Sequence, residues 1–198
     1  NTISTLLQNE KKEVANDMII ALSGHFRYMF RKSRSLVLLK EELEEVQDYC
    51  RIYNIRNGIP LLVDMDVSKS EMLCKVPILC IQTFVENAIK YYGKNGQMLQ
   101  VRIQIRRIKK EYKKEFLKIR ITDNGVGYTK ENLDEFNKPV DKFVYKSSHV
   151  GIDNLKYRFK LIFENEADIY FYNAPYSGAV VEMTIPAKED DSDENINN

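Results

Sequence analysis

Tryptophan is absent from the sequence, histidine occurs twice and cysteine three times. Each scarcity removes a class of function. Cys50, Cys74 and Cys80 show no metal-ligand spacing, and an odd count is no disulfide framework. Small apolar residues packed in a reducing compartment fit them better. Neither sign of charge prevails: 30 Lys and Arg face 29 Asp and Glu, a net charge of +1, which argues against a dedicated nucleic-acid binder. No apolar run is long enough to span a bilayer, and no signal peptide is present. The 198 residues fit one large domain, or an ordinary domain with a helical extension. A chain of this size buries about 70% of its unfolded surface without staples. It opens with Asn rather than Met, so it reads as a piece excised from something longer.

Helical spacing fills the first third. Ile3, Leu7, Val14, Met18, Leu22, Phe26 and Met29 form a stripe to about Lys32, with a break near Gln8–Glu10 where Asn9 is a credible N-cap. Gly24 weakens that helix without ending it. A second helix runs from roughly Leu38 to Arg56, apolar at Leu39, Leu43, Val46, Tyr49, Cys50 and Tyr53, with Lys40, Glu41, Glu42, Glu44 and Glu45 on a solvated face. Such a hairpin often completes a bundle with a second copy, so a homodimer through these helices is expected. Asn57-Gly58 supplies a left-handed cap, and a strand follows from Leu61 to Val67.

Pro77 predicts the start of a helix running to Tyr92, with Ile78, Ile81, Val85, Ala88 and Tyr92 on its apolar stripe and Thr83, Glu86, Asn87 and Lys90 opposite. Past a turn at Gly93–Gln97 the period becomes 2. Val101, Ile103 and Ile105, then Leu117, Ile119 and Ile121, alternate with polar residues, and Ile169, Phe171, Val181, Met183 and Ile185 continue the pattern. That is a sheet with one apolar face, covered by helices at 77–92 and 151–164. Lys188–Asn198 is acidic, polar and reads as a frayed tail.

Glycines are few, and three clusters stand out. Asp123-Asn124-Gly125-Val126-Gly127 follows a strand, where glycine lets the backbone approach a flat or charged ligand and Asp can accept from an exocyclic amine. Gly151 opens a helix, whose free N–H groups favour phosphate. Ser177-Gly178-Ala179 enters the last strand. Singly these are weak; their order after the polar Asn87 helix is informative.

In that order the chain resembles the cytoplasmic catalytic region of a two-component sensor histidine kinase, whose ATP-binding part is shared with gyrase, the heat-shock chaperone ATPase and the mismatch-repair ATPase. Val85-Glu86-Asn87-Ala88-Ile89-Lys90 matches the N box, Asp123–Gly127 the G1 box, and Gly151-Ile152-Asp153-Asn154-Leu155-Lys156-Tyr157-Arg158 the G2 box. Leu39 through Tyr53 and Arg56 resembles the helix ahead of the kinase domain in the branch whose acceptor box reads H-F-[LI]-x-N.

The resemblance implies an α+β fold: a two-layer α/β sandwich of the GHKL type, with a mixed, mostly antiparallel sheet, preceded by the helical hairpin. It divides the chain into 1–57 for dimerisation, 58–186 for ATP binding and 187–198 as tail. It makes ATP and Mg²⁺ the cofactors, with Asn87 holding the metal and Glu86 beside it as a metal or water partner. Lys90 reaches phosphate, Asp123 accepts the adenine amine, and Gly125 and Gly127 shape the base pocket. Gly151 admits phosphate, and Tyr91, Ile152, Asn154 and Ala179 complete the nucleotide site. Residues 137–150 form a lid, with Lys142, Lys146 and Ser147 near phosphate. Phosphoryl transfer needs chiefly a metal and positioned donors.

Four positions depart from the pattern: Tyr91 for the usual His, His149 for a Gly, Asp153 at a variable place and Ala179 for Thr. His25-Phe26 imitates the acceptor box but lacks its Asn and lies on an apolar stripe, which reads as a packed histidine. Asn1-Thr2-Ile3-Ser4 resembles the end of that box, which places the acceptor histidine four residues ahead of Asn1. The implied partners are ATP and a response regulator, with no nucleic acid; the location is cytoplasmic, with a membrane reached only through regions outside this sequence. Two other readings are a gyrase-type hydrolase, which carries an acidic residue where Thr83 stands, and a non-catalytic signalling module.

Overall fold

The computed structural model describes residues 2–9, 11–30, 35–57, 60–92, 98–109, 114–139 and 150–188. Helices α1 (Thr2–Gln8) and α2 (Lys12–Phe30) are followed by strand β1 (Leu36–Leu38), helix α3 (Leu39–Asn57) and strand β2 (Leu61–Asp66). A 3-10 turn at Glu71–Leu73 leads into β3 (Lys75–Pro77) and α4 (Gln82–Tyr91). Strands β4 (Leu99–Lys109) and β5 (Glu115–Asp123), helices α5 (Lys130–Phe136) and α6 (Val150–Phe163), and strands β6 (Asp168–Asn173) and β7 (Ala179–Pro186) complete the order.

Five strands form one sheet in the order β2-β4-β5-β7-β6. Every pairing in it is antiparallel except β2 with β4. Ile103 faces Ile121 and Ile105 faces Ile119, so the alternating apolar residues of neighbouring strands share one face. Helices α4 and α6 cover that face with Phe84, Val85, Ala88, Ile152, Leu155, Phe159 and Phe163, all buried. The other face is wet. Arg102 pairs with Asp64, Arg106 with Asp66, and Lys118 and Arg120 with Glu182, as the alternation predicts for a solvated surface. The three cysteines are buried and none is in a disulfide.

Three expectations are corrected. Pro77 does not open the helix: it ends β3, where it faces Leu36 of β1, and α4 starts at Gln82. Asn9 closes α1 instead of capping α2, its N–H donating to the Thr5 carbonyl at 3.1 Å. The acidic run of α3 is not wholly solvated, for Glu42 is 0% and Glu45 4% exposed. Both carboxylates turn toward α2, where Tyr28 donates to Glu42 and the His25 ring contacts Glu45. The predicted Gly58 cap, the 93–97 turn and the tail beyond Lys188 lie outside the described residues. Helix α3 is also continuous with the main core, since Leu39, Leu43, Val46 and Cys50 join the cluster that contains Val85 and Ile103.

Candidate functional site

Strand β5 ends on Asp123 between β4 and β7, and the chain turns out of the sheet there. The Asp123 carboxylate closes the turn: its Oδ1 accepts from the Gly125 N–H at 2.8 Å and from the Ala179 N–H at 3.1 Å. A Cβ on Gly125 would stand 2.9 Å from Asp123 Oδ1, so a side chain there crowds the carboxylate that organises the loop. Burial pushes the Asp123 carboxyl above the ordinary carboxylate range, against the lowering effect of the Ala179 and Gly125 N–H groups.

The rest of the loop is gripped from the β6–β7 turn. Asn173 accepts from the Tyr128 N–H at 2.7 Å and donates to the Tyr128 carbonyl at 2.9 Å. Ser177 donates to the Gly125 carbonyl at 2.7 Å. Gly127 takes φ +79°, a conformation that side chains resist. On the other side, Asn124 extends the sheet, accepting from the Gln100 N–H at 2.8 Å and donating to the Met98 carbonyl at 3.0 Å.

Beside this loop lies a cavity of about 170 Å³, comparable with the roughly 150 Å³ apolar cavities that accept a benzene ring. Of the residues singled out by the sequence, Asn87 and Tyr91 of α4, Asp123, Gly125 and Gly127, Ile152 of α6, and Ala179 of β7 all line it. Glu86, Lys90, Gly151 and Asn154 do not line it. Glu86 is exposed and accepts from Gln82 Nε2 at 2.8 Å, and Lys90 lies 5.0 Å from the centre of the Tyr91 ring. Gly151 is near α4, where an added Cβ would meet Thr83 Cγ2 at 3.6 Å. Lys142, Lys146, Ser147 and His149 fall outside the described residues.

Sequence reasoning missed the wall formed by Phe84, Val126, Tyr128, Thr129, Asn132, Phe136 and Val181. Part of that wall is α5, and a signal for it existed: Thr129 caps the helix by accepting from the Asn132 N–H at 3.2 Å. Tyr128, Phe136 and Phe171 stack edge-on or tilted, with ring centres 5.2–5.9 Å apart. The far end of α5 is fixed to α6 by Lys156, which donates to the Phe136 and Lys138 carbonyls. Asn137 bonds both the N–H and the carbonyl of Phe171, at 3.0 and 2.9 Å. The cavity is therefore mostly apolar, with one half-buried carboxylate and a carboxamide on its α4 wall, the usual make-up of a small-molecule site.

Two family models match. Residues 77–189 match "Histidine kinase-, DNA gyrase B-, and HSP90-like ATPase", and residues 1–61 match "Histidine kinase". Over 188 residues the chain is 28% identical to an uncharacterized sensor-like histidine kinase of Staphylococcus epidermidis, covering 94% of this chain and 36% of the relative. It is 23% identical to the sensor protein kinase HptS of Staphylococcus aureus, covering 94% and 35% respectively. The chain thus spans about a third of the length of these curated relatives. Among solved structures, the fold is similar to the mycobacterial sensor histidine kinase MprB, with TM-score 0.51, 14% identity, and coverage of 78% of this chain and 98% of that one. It is similar also to the catalytic domain of histidine kinase ThkA, with TM-score 0.51, 18% identity, and coverage of 77% and 94%. With more than half of its length inside the first family model, the chain belongs to the histidine kinase-, DNA gyrase B- and HSP90-like ATPases, and it carries the ATP-binding region of a sensor histidine kinase.

Proposed function

We propose that the cavity takes the adenine of Mg·ATP and that the chain transfers the γ-phosphoryl group to a histidine, expected ahead of Asn1, for relay to a response-regulator aspartate. The observation that carries this reading is that Asn87 and Asp123, from separate signature segments, line the same cavity. Asp123 Oδ2 accepts the adenine amine while the apolar walls hold the ring. Asn87 offers a neutral oxygen donor. Among the described residues no group of three or more His, Cys, Asp or Glu stands ready for a metal. Asn87 would hold a magnesium ion through its carboxamide oxygen, a ligand type that ion accepts. When bound, the ion supplies charge neutralisation at the phosphates.

The hydrolase reading has less support. Thr83 Oγ1 donates to the Leu79 carbonyl at 2.6 Å, one turn back along the chain, so its hydroxyl is committed to backbone and is no base for water. His25 is engaged with Glu45 inside the hairpin, which disfavours it as acceptor. Leu7, Ile19, Ile20 and Phe26 are exposed on α1 and α2, an apolar face suited to a second copy. Among the described residues no helix is long and apolar enough to cross a membrane. Membrane attachment through other parts of the protein, with this region cytoplasmic, is part of the proposal.

The test uses labelled ATP and the protein extended upstream of Asn1. Acid-labile label on histidine is expected, and Asn87→Ala should lower its rate by roughly a hundredfold or more while the chain stays folded, since loss of a metal ligand removes part of the several kcal/mol by which the ion stabilises transition-state charge. Unlabelled protein that still binds Mg·ATP would sink the transfer step. A pH dependence follows from Asp123. Its ionised form is the better acceptor, and burial raises its pKa. ATP affinity in a calorimetric titration should therefore fall on acidification at a pH above that at which an ordinary aspartate loses its charge.

A further inference from the structure

Helix α4 begins without a cap of its own. Its N-cap is Ile81, which makes no side-chain bond to the first turn. The free N–H groups are instead taken by Glu42, about forty residues upstream on α3. Glu42 Oε1 accepts from the Ile81 N–H at 2.9 Å and the Gln82 N–H at 3.2 Å, and Oε2 accepts from the Leu79 N–H at 2.8 Å. Leu79 takes φ +61° to aim that N–H, a conformation uncommon for leucine. The acceptor oxygens of Glu42 also complement the positive pole of the helix, and these donors work against burial, which pushes the Glu42 carboxyl above the ordinary carboxylate range. The fourth donor to Glu42 is the hydroxyl of Tyr28 on α2. Glu42 is 0% exposed and Tyr28 6%, so water does not compete at this junction.

The contacts continue toward the nucleotide site. Gln82, 1% exposed, donates from Nε2 to Glu86, the residue before Asn87. The loop before α4 is held from the other side as well, where Arg158 of α6 donates to the Ile78 carbonyl at 2.6 Å. The start of the Asn87 helix is therefore fixed jointly by the helical hairpin and by α6.

We propose that Glu42 is a positioning residue for Asn87, and that Tyr28 makes this positioning depend on the register of α2 against α3. The inference rests on the nucleotide reading of the cavity. Glu42 bonds the start of α4, the helix that carries Asn87, and makes no hydrogen bond to the loop around Asp123. A displacement of α2 that withdraws the Tyr28 hydroxyl loosens the Glu42 carboxylate, and with it the first turn of α4.

The experiment compares Mg·ATP with adenosine, which carries neither phosphate nor metal for Asn87 to meet, by titration into the 198-residue chain. Glu42→Gln replaces one acceptor oxygen by an NH₂ facing backbone N–H groups, and is expected to weaken Mg·ATP about tenfold or more. Tyr28→Phe removes one hydroxyl with its ring retained, and is expected to weaken Mg·ATP roughly threefold. Adenosine affinity should stay within about twofold of wild type in both, a margin below one ordinary hydrogen bond. Glu44→Gln, at an exposed pair with Lys40, should change neither. If Glu42→Gln lacks a cooperative melt, Tyr28→Phe decides. Unchanged Mg·ATP affinity in the folded variants, or an equal loss for both ligands, overturns the positioning role. Wild-type chain that binds neither ligand overturns the nucleotide reading itself, and this proposal with it.

Discussion

Replacing Asp123 by asparagine should abolish most ATP binding and leave the protein folded. The asparagine carbonyl can take over the two backbone bonds that Asp123 Oδ1 now accepts, from Gly125 and Ala179. Its NH₂ then occupies the place of Oδ2 and presents a donor to the adenine amine, itself a donor. Loss of a hydrogen bond to a charged group costs about 1.5–3 kcal/mol, which is a ten- to hundredfold loss of affinity. The same NH₂ is a good partner for a guanine carbonyl, so the ratio of ATP to GTP affinity should fall further than ATP affinity alone. A titration of both nucleotides against wild type and Asp123→Asn measures this. Equal loss for ATP and GTP would mean that Asp123 does not read the base.

Stability should move the other way. Burial raises the Asp123 pKa in the folded chain, so the folded state holds that proton more tightly than the unfolded state. The stability Asp123 contributes is present below its unfolded pKa and is lost as pH rises through the folded value. At neutral pH the ionised carboxylate is a burden that the neutral amide does not carry. Asp123→Asn should therefore melt no lower than wild type near pH 7, and its advantage should vanish in acid. Asp123→Ala behaves differently, since it leaves the Gly125 and Ala179 N–H groups without their acceptor, each costing about 1–3 kcal/mol if buried. Function and stability thus separate at one position: asparagine loses the ligand alone, alanine loses both.

The period-2 segments announced their strands because one face of the sheet is buried and the other wet, and Ile103, Ile119 and Met183 could sit nowhere but inside. The signature segments stood out for a different reason: Asn on a helix and paired Gly after a strand are residue types that packing alone does not ask for, and the structure brings Asn87, Asp123, Gly125 and Gly127 to one cavity. What escaped was fixed by partners far away in the chain. Pro77 reads locally as a helix start, yet pairing with Leu36 makes it the end of a strand. Glu42 and Glu45 look like neighbours of Lys40 and Glu44 on a solvated run, and only distant partners turn them inward: Tyr28 and the backbone at Leu79–Gln82 for Glu42, His25 for Glu45. Helix α5 has seven residues, too few for its apolar period to stand out from noise. Asn173 is an unremarkable strand-end residue until the loop at Tyr128 is laid against it.

The same dependence on distant backbone makes Gly178→Ala the most damaging small substitution expected here. Gly178 takes φ +100°, and a Cβ there would lie 1.8 Å from the Asp123 carbonyl oxygen, 2.8 Å from its carbon and 3.3 Å from Asn124 Cα. All three are main-chain atoms, so no rotamer change relieves the contact. The β6–β7 turn must move away from the end of β5, which breaks the Ala179 bond to Asp123 and the Ser177 bond to Gly125. A left-handed backbone costs an L-residue about 1–2 kcal/mol, and overpacking typically adds about 1–3 kcal/mol. At about 2–4 °C per kcal/mol for a chain of this size, the Tm should fall by roughly 5–20 °C. Adenosine binding should weaken with it, because both ruptured bonds shape the loop that lines the cavity. Gly151→Ala is the matched comparison: its Cβ meets only Thr83 Cγ2, at 3.6 Å, an ordinary van der Waals distance, and its backbone is not left-handed. That variant should melt within a degree or two of wild type, as a surface helix position does. If Gly178→Ala melts with it and binds adenosine normally, the β6–β7 turn does not shape the base pocket, and the grip of Asn173 and Ser177 on the loop has no bearing on binding.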